Sequence, residues 1–139
     1  CLKPGGRLVV SCGGKGNAQD VFGVLRATLR HKRWREFFGK FAAPYVFHGP
    51  EAYWKWLPRF GFRPLRVRLV NKDTRFAGNA GLAAWFRTTW LPYTQRVPAE
   101  QREEFIAAVV DRFVASHSPD LAGQLVIQMV RLEIDAVRI

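Results

Sequence analysis

Residues 2–12 read LKPGGRLVVSC, and this stretch decides the class of fold. A Pro-Gly-Gly turn at residues 4–6 precedes a β-branched apolar run over residues 7–12, which predicts a strand. Both faces of that run look apolar, so we expect a buried, parallel strand. Two glycines end the run and a helical pattern follows them, which favours an α/β fold.

The rest of the chain alternates between helical and strand patterns. Apolar spacing predicts a helix that ends near Arg30, and residues 31–41 are expected to form a second one. The later elements are a helix from Pro50 that Pro58 ends or kinks, a strand over 63–70, a helix over 78–90, an amphipathic helix from Pro98 and a long strand over 125–139. The order β-α-(α)-α-β-α-α-β contains about four to five helices and no internal repeat.

The chain is strongly basic, with 22 Lys and Arg against 11 Asp and Glu and a formal net charge of +11. Residues 1–75 contain 16 basic and 4 acidic side chains, and many of the basic ones lie within residues 26–40. Such a cluster attracts nucleic acid and other polyanions. A solvated helix face accounts for it equally simply, and we favour that explanation.

Composition excludes several classes of protein. Hydrophobic residues make up 48% of the 139 residues, which excludes disorder and suits a single domain. No run approaches the ~18 apolar residues of a membrane span, and no signal peptide opens the chain. Cys1 and Cys12 are its only cysteines, so neither a disulfide framework nor a Cys-rich metal site is expected. The start at Cys1 rather than Met indicates a piece of a longer protein.

The glycines after the first strand match no nucleotide-binding motif. Gly13, Gly14 and Gly16 stand between a strand and a helix, but Gln19 occupies the position of the last glycine of GxGxxG. We therefore interpret these glycines as a flexible turn. No metal is expected either, because no helical metal-site spacing links the three histidines, which are His31, His48 and His117.

Residues 85–93, WFRTTWLPY, combine two tryptophans, a tyrosine, two hydroxyl groups and one guanidinium. Ligand sites combine aromatic walls with a few placed polar groups, so this segment is a candidate substrate lid. An aromatic helix that packs on the sheet is the competing interpretation. Arg87 and the two threonines exceed what packing requires, so both interpretations stay open.

The opening LKPGGRLVV resembles the turn into the fifth strand of class I S-adenosylmethionine-dependent methyltransferases. Three later segments resemble the same family, in its small-molecule branch that includes trans-aconitate methyltransferase. These are the pattern from Phe47 to Phe62, the segment 85–93 and Val130-Arg131-Leu132-Glu133. The chain departs from the family pattern at Pro58 and in the heavy basic charge of residues 26–40.

The resemblance implies a partial Rossmann-like sheet, with strands equivalent to five, six and an antiparallel seven that lies between them. It implies a C-terminal, substrate-side half, with the S-adenosyl-L-methionine motifs upstream of Cys1 and no catalytic residue assigned in this chain. Residues 78–117 would be a helical insertion that folds as a lid over the loop after Cys12. The implied protein is a cytoplasmic enzyme that methylates a small molecule. The expected substrate-binding residues are Tyr45, Trp85, Arg87, Trp90 and Tyr93, with Arg87 facing a substrate carboxylate.

Three alternatives remain open. The chain is a non-catalytic basic module that binds RNA or another polyanion, a truncated methyltransferase-like partner subunit, or a chain that self-associates through an exposed strand edge. As a methyltransferase half, these 139 residues alone are expected to bind S-adenosylmethionine weakly or not at all, and to be inactive.

Overall fold

The computed structural model describes residues 2–139, and its contacts divide the chain into two compact units. The first unit contains residues up to 18 together with 46–73 and 128–139, and the second contains 19–45 and 74–127. The strands are β1 Arg7–Gly13, β2 Phe62–Asn71, β3 Thr74–Ala77, β4 Gln124–Ile127 and β5 Val130–Arg138. The α-helices are α1 Gln19–Leu29, α2 Pro50–Arg59, α3 Gly78–Thr89, α4 Leu91–Thr94 and α5 Arg102–Ser116. No helix within 2–139 is long and apolar enough to cross a bilayer.

The first unit is built on a three-stranded sheet in the order β1-β5-β2. Both outer strands pair antiparallel with β5, and Val10 and Val67 both lie opposite Ile134. The last strand therefore lies antiparallel between the other two, as expected. The prediction of a buried parallel pairing for β1 is wrong. Its side chains alternate between exposed and half-buried positions, and Val9 is 69% exposed.

One face of this sheet holds the core of the first unit. Leu57 of α2 packs there with Val67 of β2 and the small apolar side chains of β5, and Leu8 and Val10 of β1 lie against them. Helix α2 begins at Pro50, where a missing N–H removes no helix bond. Pro58 lies in its last turn, cannot donate to the carbonyl of Trp54, and the helix ends one residue later at Arg59.

Charged pairs occupy the register positions between these core positions. Arg7 binds Asp135 through two hydrogen bonds, from Nε to Oδ1 at 2.8 Å and from Nη2 to Oδ2 at 2.6 Å. Arg68 binds Glu133 at 2.9 Å. The strand predicted over residues 63–70 is present, but Val67 is its one buried side chain. Leu65 and Leu69 are 45% and 38% exposed, and the register shifts between Pro64 and Arg66.

The second unit combines four helices with a two-stranded antiparallel sheet, β3–β4. The predicted amphipathic face of α5 is confirmed, because Phe105, Ile106, Val109, Val110 and Phe113 are all buried. The core of the second unit also contains fully buried residues from its other helices and from β4. These include Val21, Leu25, Leu82, Phe86, Leu125 and Ile127. The predicted insertion, residues 78–117, lies within this unit.

Two predicted elements are corrected. The long strand expected over 125–139 is two strands in different sheets, because the carbonyls of Gln128 and Met129 accept hydrogen bonds from Ala18 and Lys72 instead of continuing one ladder. The second helix expected over 31–41 is a single 3₁₀ turn at Arg35–Phe38. Phe38 and Trp34 are buried there, so tertiary packing rather than helix propensity holds this segment.

Candidate functional site

An aromatic cluster in the second unit brings together four of the five residues predicted to bind substrate. We define it as Phe22, Phe41, Tyr45, Trp85, Phe86, Trp90 and Tyr93. Trp90 is its centre, since its ring centroid lies within 6 Å of five of the other rings. Tyr45, Trp85, Trp90 and Tyr93 are therefore neighbours in space, although Tyr45 is 40 residues from Trp85 in sequence.

The break between α3 and α4 produces this convergence. The N–H of Trp90 still donates to Phe86 of α3, whereas the carbonyl of Trp90 accepts from Tyr93 and Thr94 of α4. Pro92 lies in the first turn of α4, where it starts a new helix instead of continuing α3. The chain changes direction at Trp90, so aromatic side chains from both helices meet at one place.

Tyr45, Trp90 and Tyr93 form three sides of a box. The rings of Tyr45 and Tyr93 are nearly parallel, with an interplanar angle of 7° and a centroid separation of 6.5 Å. Trp90 meets both rings at steep angles, 70° to Tyr45 and 63° to Tyr93. Trp90 and Tyr93 are buried, and Tyr45 is partly exposed. Tyr45 is thus the side chain of the box that a ligand from solvent reaches first.

The polar atoms of this box are hydrogen-bond donors at neutral pH. The indole Nε1 of Trp90 is buried and has no partner among the described residues. Burial raises the pKa of Tyr45, whose hydroxyl donates to the carbonyl of Thr89 at 3.4 Å. Burial also raises the pKa of Tyr93, and the neighbouring Tyr45 raises it further. Both phenols therefore stay protonated, and the unpaired N–H of Trp90 is a third donor in this cluster.

Arg26 is a polar member of this region that the sequence interpretation did not select. The positive charge of Arg26 opposes the rise in the pKa of Tyr93, which marks Arg26 as a charged neighbour of this region. Arg26 is exposed and follows Phe22 by four residues on α1, which places both on the same side of the helix. The spacing of four residues between Phe22 and Arg26 is the sequence feature that could have distinguished Arg26 from the other basic residues as a candidate site residue.

Arg87 was predicted to face a substrate carboxylate, but an ion pair with Glu103 already occupies its guanidinium. Its guanidinium donates from Nε and Nη2 to both carboxylate oxygens of Glu103 on α5, at distances of 2.6–3.0 Å. The hydrogen bonds from Arg87 lower the pKa of Glu103. Both side chains are about half exposed or more. A substrate carboxylate at Arg87 would therefore have to displace Glu103.

The glycine-rich loop after β1 is a packed connection. A side chain on Gly13 would overlap the ring of Phe47, and one on Gly14 would overlap Leu69. The loop N–H groups at residues 14, 15, 17 and 18 all donate to carbonyls of the same unit. The side-chain oxygen of Asn17 accepts a hydrogen bond from the N–H of Val130 at 2.9 Å. This loop has no row of free N–H groups for a phosphate or for a cofactor.

His48, His117 and Cys12 have packing roles. His48 packs edge-on against Trp56, and His117 stacks on Phe113 with its Nε2 atom 3.7 Å from Asp20. Cys12 lies half-buried against the core of the first unit. No group of three or more candidate ligands within residues 2–139 could hold a metal ion.

Comparison with known proteins assigns no family. No protein-family model matches the chain, and no curated protein matches it either.

Proposed function

We propose that this chain is the C-terminal, substrate-binding portion of a cytoplasmic S-adenosylmethionine-dependent methyltransferase, with a partial Rossmann-like sheet. The observation that carries the proposal is the order β1-β5-β2 with β5 antiparallel to both neighbours. The LKPGG turn directly before β1 supports it, because the turn and the strand order belong to the same family resemblance. The helices of residues 78–117 precede the last strand, as that resemblance implies.

In this proposal the chain binds the methyl acceptor and excludes water from it. S-adenosylmethionine, when bound, supplies a methyl group on a sulfonium, which a nucleophile can displace directly. The described residues form no cradle for that cofactor, since the loop after β1 is fully engaged in packing. Their contribution is alignment and desolvation, which account for much of the rate in such displacements.

The aromatic cluster is the proposed acceptor site. Its aromatic walls suit a flat, apolar body, and the buried Nε1 of Trp90 is an unpaired donor, so the methyl acceptor should present a hydrogen-bond acceptor atom to Trp90. We assign an anionic group of that acceptor to Arg26 rather than to Arg87, because Glu103 already occupies Arg87.

A Trp90→Phe substitution tests this site in a chain that includes the residues upstream of Cys1. Methyl transfer from labelled S-adenosylmethionine would be measured with a panel of small phenols and carboxylic acids. We expect kcat/KM to fall about tenfold, the effect of one lost hydrogen bond of ~1.5 kcal/mol. The matched control is Trp54→Phe, since Trp54 is 45% exposed and lies in the first unit. Unchanged kcat/KM in the Trp90 variant would refute the site.

The competing function is a basic module that binds a polyanion. Six basic side chains within residues 26–40 are all exposed, which favours an electrostatic surface: Arg26, Arg30, Lys32, Arg33, Arg35 and Lys40. Trp34 and Phe38, which interleave with them, are buried and unable to stack on bases. Binding by charge alone would show a steep salt dependence with single-stranded RNA.

A further inference from the structure

A small cavity in the second unit lies apart from the aromatic cluster and shares no residue with it. Its volume is about 200 Å³, and it lies between the C-terminal end of α1, the segment after it and α5. Pockets for drug-sized ligands have volumes of roughly 300–1,000 Å³, so this one suits a single small group. Its lining residues are Thr28, His31, Arg33, Trp34, Glu104, Ala108 and Arg112.

The inner wall of the cavity, formed by Thr28, Trp34 and Ala108, is not what would select a polar ligand. Thr28 is buried, and its hydroxyl already donates to the carbonyl of Val24 at 2.9 Å. Trp34 is also buried, and Ala108 offers only a methyl group. Any selectivity for a ligand must therefore come from the charged side chains at the rim.

The single carboxylate at the rim is already neutralised. Glu104 forms an ion pair with Arg33, whose guanidinium carbon also lies 5.0 Å from the ring centroid of Trp34. Ring and carboxylate together fix the position of Arg33 at the cavity. Glu104 takes a hydrogen bond from Nη2 of Arg33 alone, whereas Glu103 binds both Nε and Nη2 of Arg87, so Arg33 keeps N–H groups for an anion.

Two further groups at the rim can donate to an anion. Arg112 forms no ion pair with any carboxylate of residues 2–139. His31 accepts a hydrogen bond at Nδ1 from the N–H of Arg33, at 3.4 Å, so its neutral form carries the ring proton on Nε2. Donors thus come from three separate positions, and the neighbouring Arg30, Lys32 and Arg35 are exposed and add positive potential.

We propose that this cavity binds the phosphoryl group of inorganic phosphate or of a small phosphate monoester, through Arg112, Arg33 and His31. Donors on three different residues suit a tetrahedral dianion with three free oxygens, whereas one guanidinium fork is enough for a planar carboxylate. This site is independent of the methyltransferase proposal, because none of its lining residues belongs to the aromatic cluster.

Titration calorimetry of the whole chain with inorganic phosphate and with glycerol 3-phosphate, at constant ionic strength, tests the proposal. Arg112→Gln should weaken binding about tenfold or more, because it removes a charge-assisted hydrogen bond. Arg59→Gln removes the same charge from an exposed position of the first unit and should change affinity less than about twofold. Equal weakening by both substitutions would overturn the site in favour of nonspecific charge.

Ala108→Phe provides a second variant that keeps every charge and fills the cavity. It should abolish phosphate binding while circular dichroism shows an unchanged fold, and undiminished binding by this variant would overturn the proposal. If glycerol 3-phosphate binds more tightly than inorganic phosphate, the ligand is a phosphate monoester. If the two affinities are equal, the ligand is the free phosphate anion. An oligonucleotide without terminal phosphates should not compete. If it competes as well as phosphate does, the site is a polyanion surface and the proposal fails.

Discussion

At the scale of single residues, the pair of Arg7 and Asp135 joins β1 to the central strand β5. Hydrogen bonds from Arg7 hold the pKa of Asp135 below its ordinary value, and the charge of Arg7 acts in the same direction against desolvation. A carboxyl with a lowered folded-state pKa stabilises the protein above its unfolded pKa of about 3.9, and this stability is lost as the pH falls through the folded pKa.

We therefore expect Asp135→Asn to lower the free energy of unfolding at pH 7, by an amount that shrinks as the pH falls through the folded-state pKa of Asp135. Urea denaturation at a series of pH values measures the difference between the two proteins. Asp73→Asn is the control, because Asp73 is exposed and forms no ion pair with any described residue. A difference between parent and Asp135 variant that does not shrink in acid would contradict this assignment.

Some features of the candidate site can be predicted from the sequence and others cannot. The aromatic density of residues 85–93 correctly pointed to a cluster, because large apolar side chains converge wherever they can be buried. The partner of a charged side chain is less predictable. Glu103 lies 16 residues after Arg87 and meets it only through the packing of α3 on α5, so no local pattern announces their pairing.

At the scale of elements, two glycines have opposite roles. Gly61 ends α2 with a φ of +75°, and a β-carbon there would overlap the guanidinium of Arg138. Gly23 lies inside α1, and a β-carbon there meets no atom within 4 Å. The first glycine is required by its conformation, and the second only weakens its helix.

Gly61→Ala should lower the free energy of unfolding by about 1–3 kcal/mol, since it forces a non-glycine residue into the left-handed region. Gly23→Ala should raise it by about 0.5–1 kcal/mol through better helix propensity. Chemical denaturation of the two variants beside the parent protein measures both effects. Changes of the same sign in both variants would show that the assigned conformations are wrong.

Element boundaries were predictable where proline, glycine or strict periodicity marks them. The start of α2 at Pro50 and the buried face of α5 are local patterns, and the structure has them. In β2 only Val67 is buried, and a register shift between Pro64 and Arg66 interrupts the alternation. The division of residues 124–138 into β4 and β5 is different, because apolar alternation continues on both sides of it. Only the distant N–H donors of Ala18 and Lys72 interrupt the ladder at residues 128 and 129.

At the scale of the whole molecule, β1 is an edge strand with an open side. Gly6 and Gly14, at its two ends, exchange hydrogen bonds with β5, so the even-numbered residues between them face β5 and the odd-numbered ones face outward. Arg7, Val9 and Ser11 are also exposed. Their outward N–H groups are therefore available to water or to another strand.

Amide hydrogen exchange should resolve this alternation. In the 139-residue chain we expect fast exchange at Val9 and Ser11 and slow exchange at Val10 and Cys12, since only the latter pair donate within the sheet.

If the chain is part of a methyltransferase, a version extended upstream of Cys1 should protect Val9 and Ser11 too, because a further strand would pair along this edge. Protection that instead grows with the concentration of the unextended chain, with a dimer in light scattering, would favour self-association. Suppose that the chain extended upstream of Cys1 is a monomer and that the amides of Val9 and Ser11 still exchange fast. No further strand would then pair with the outer edge of β1, and this result would contradict the methyltransferase proposal.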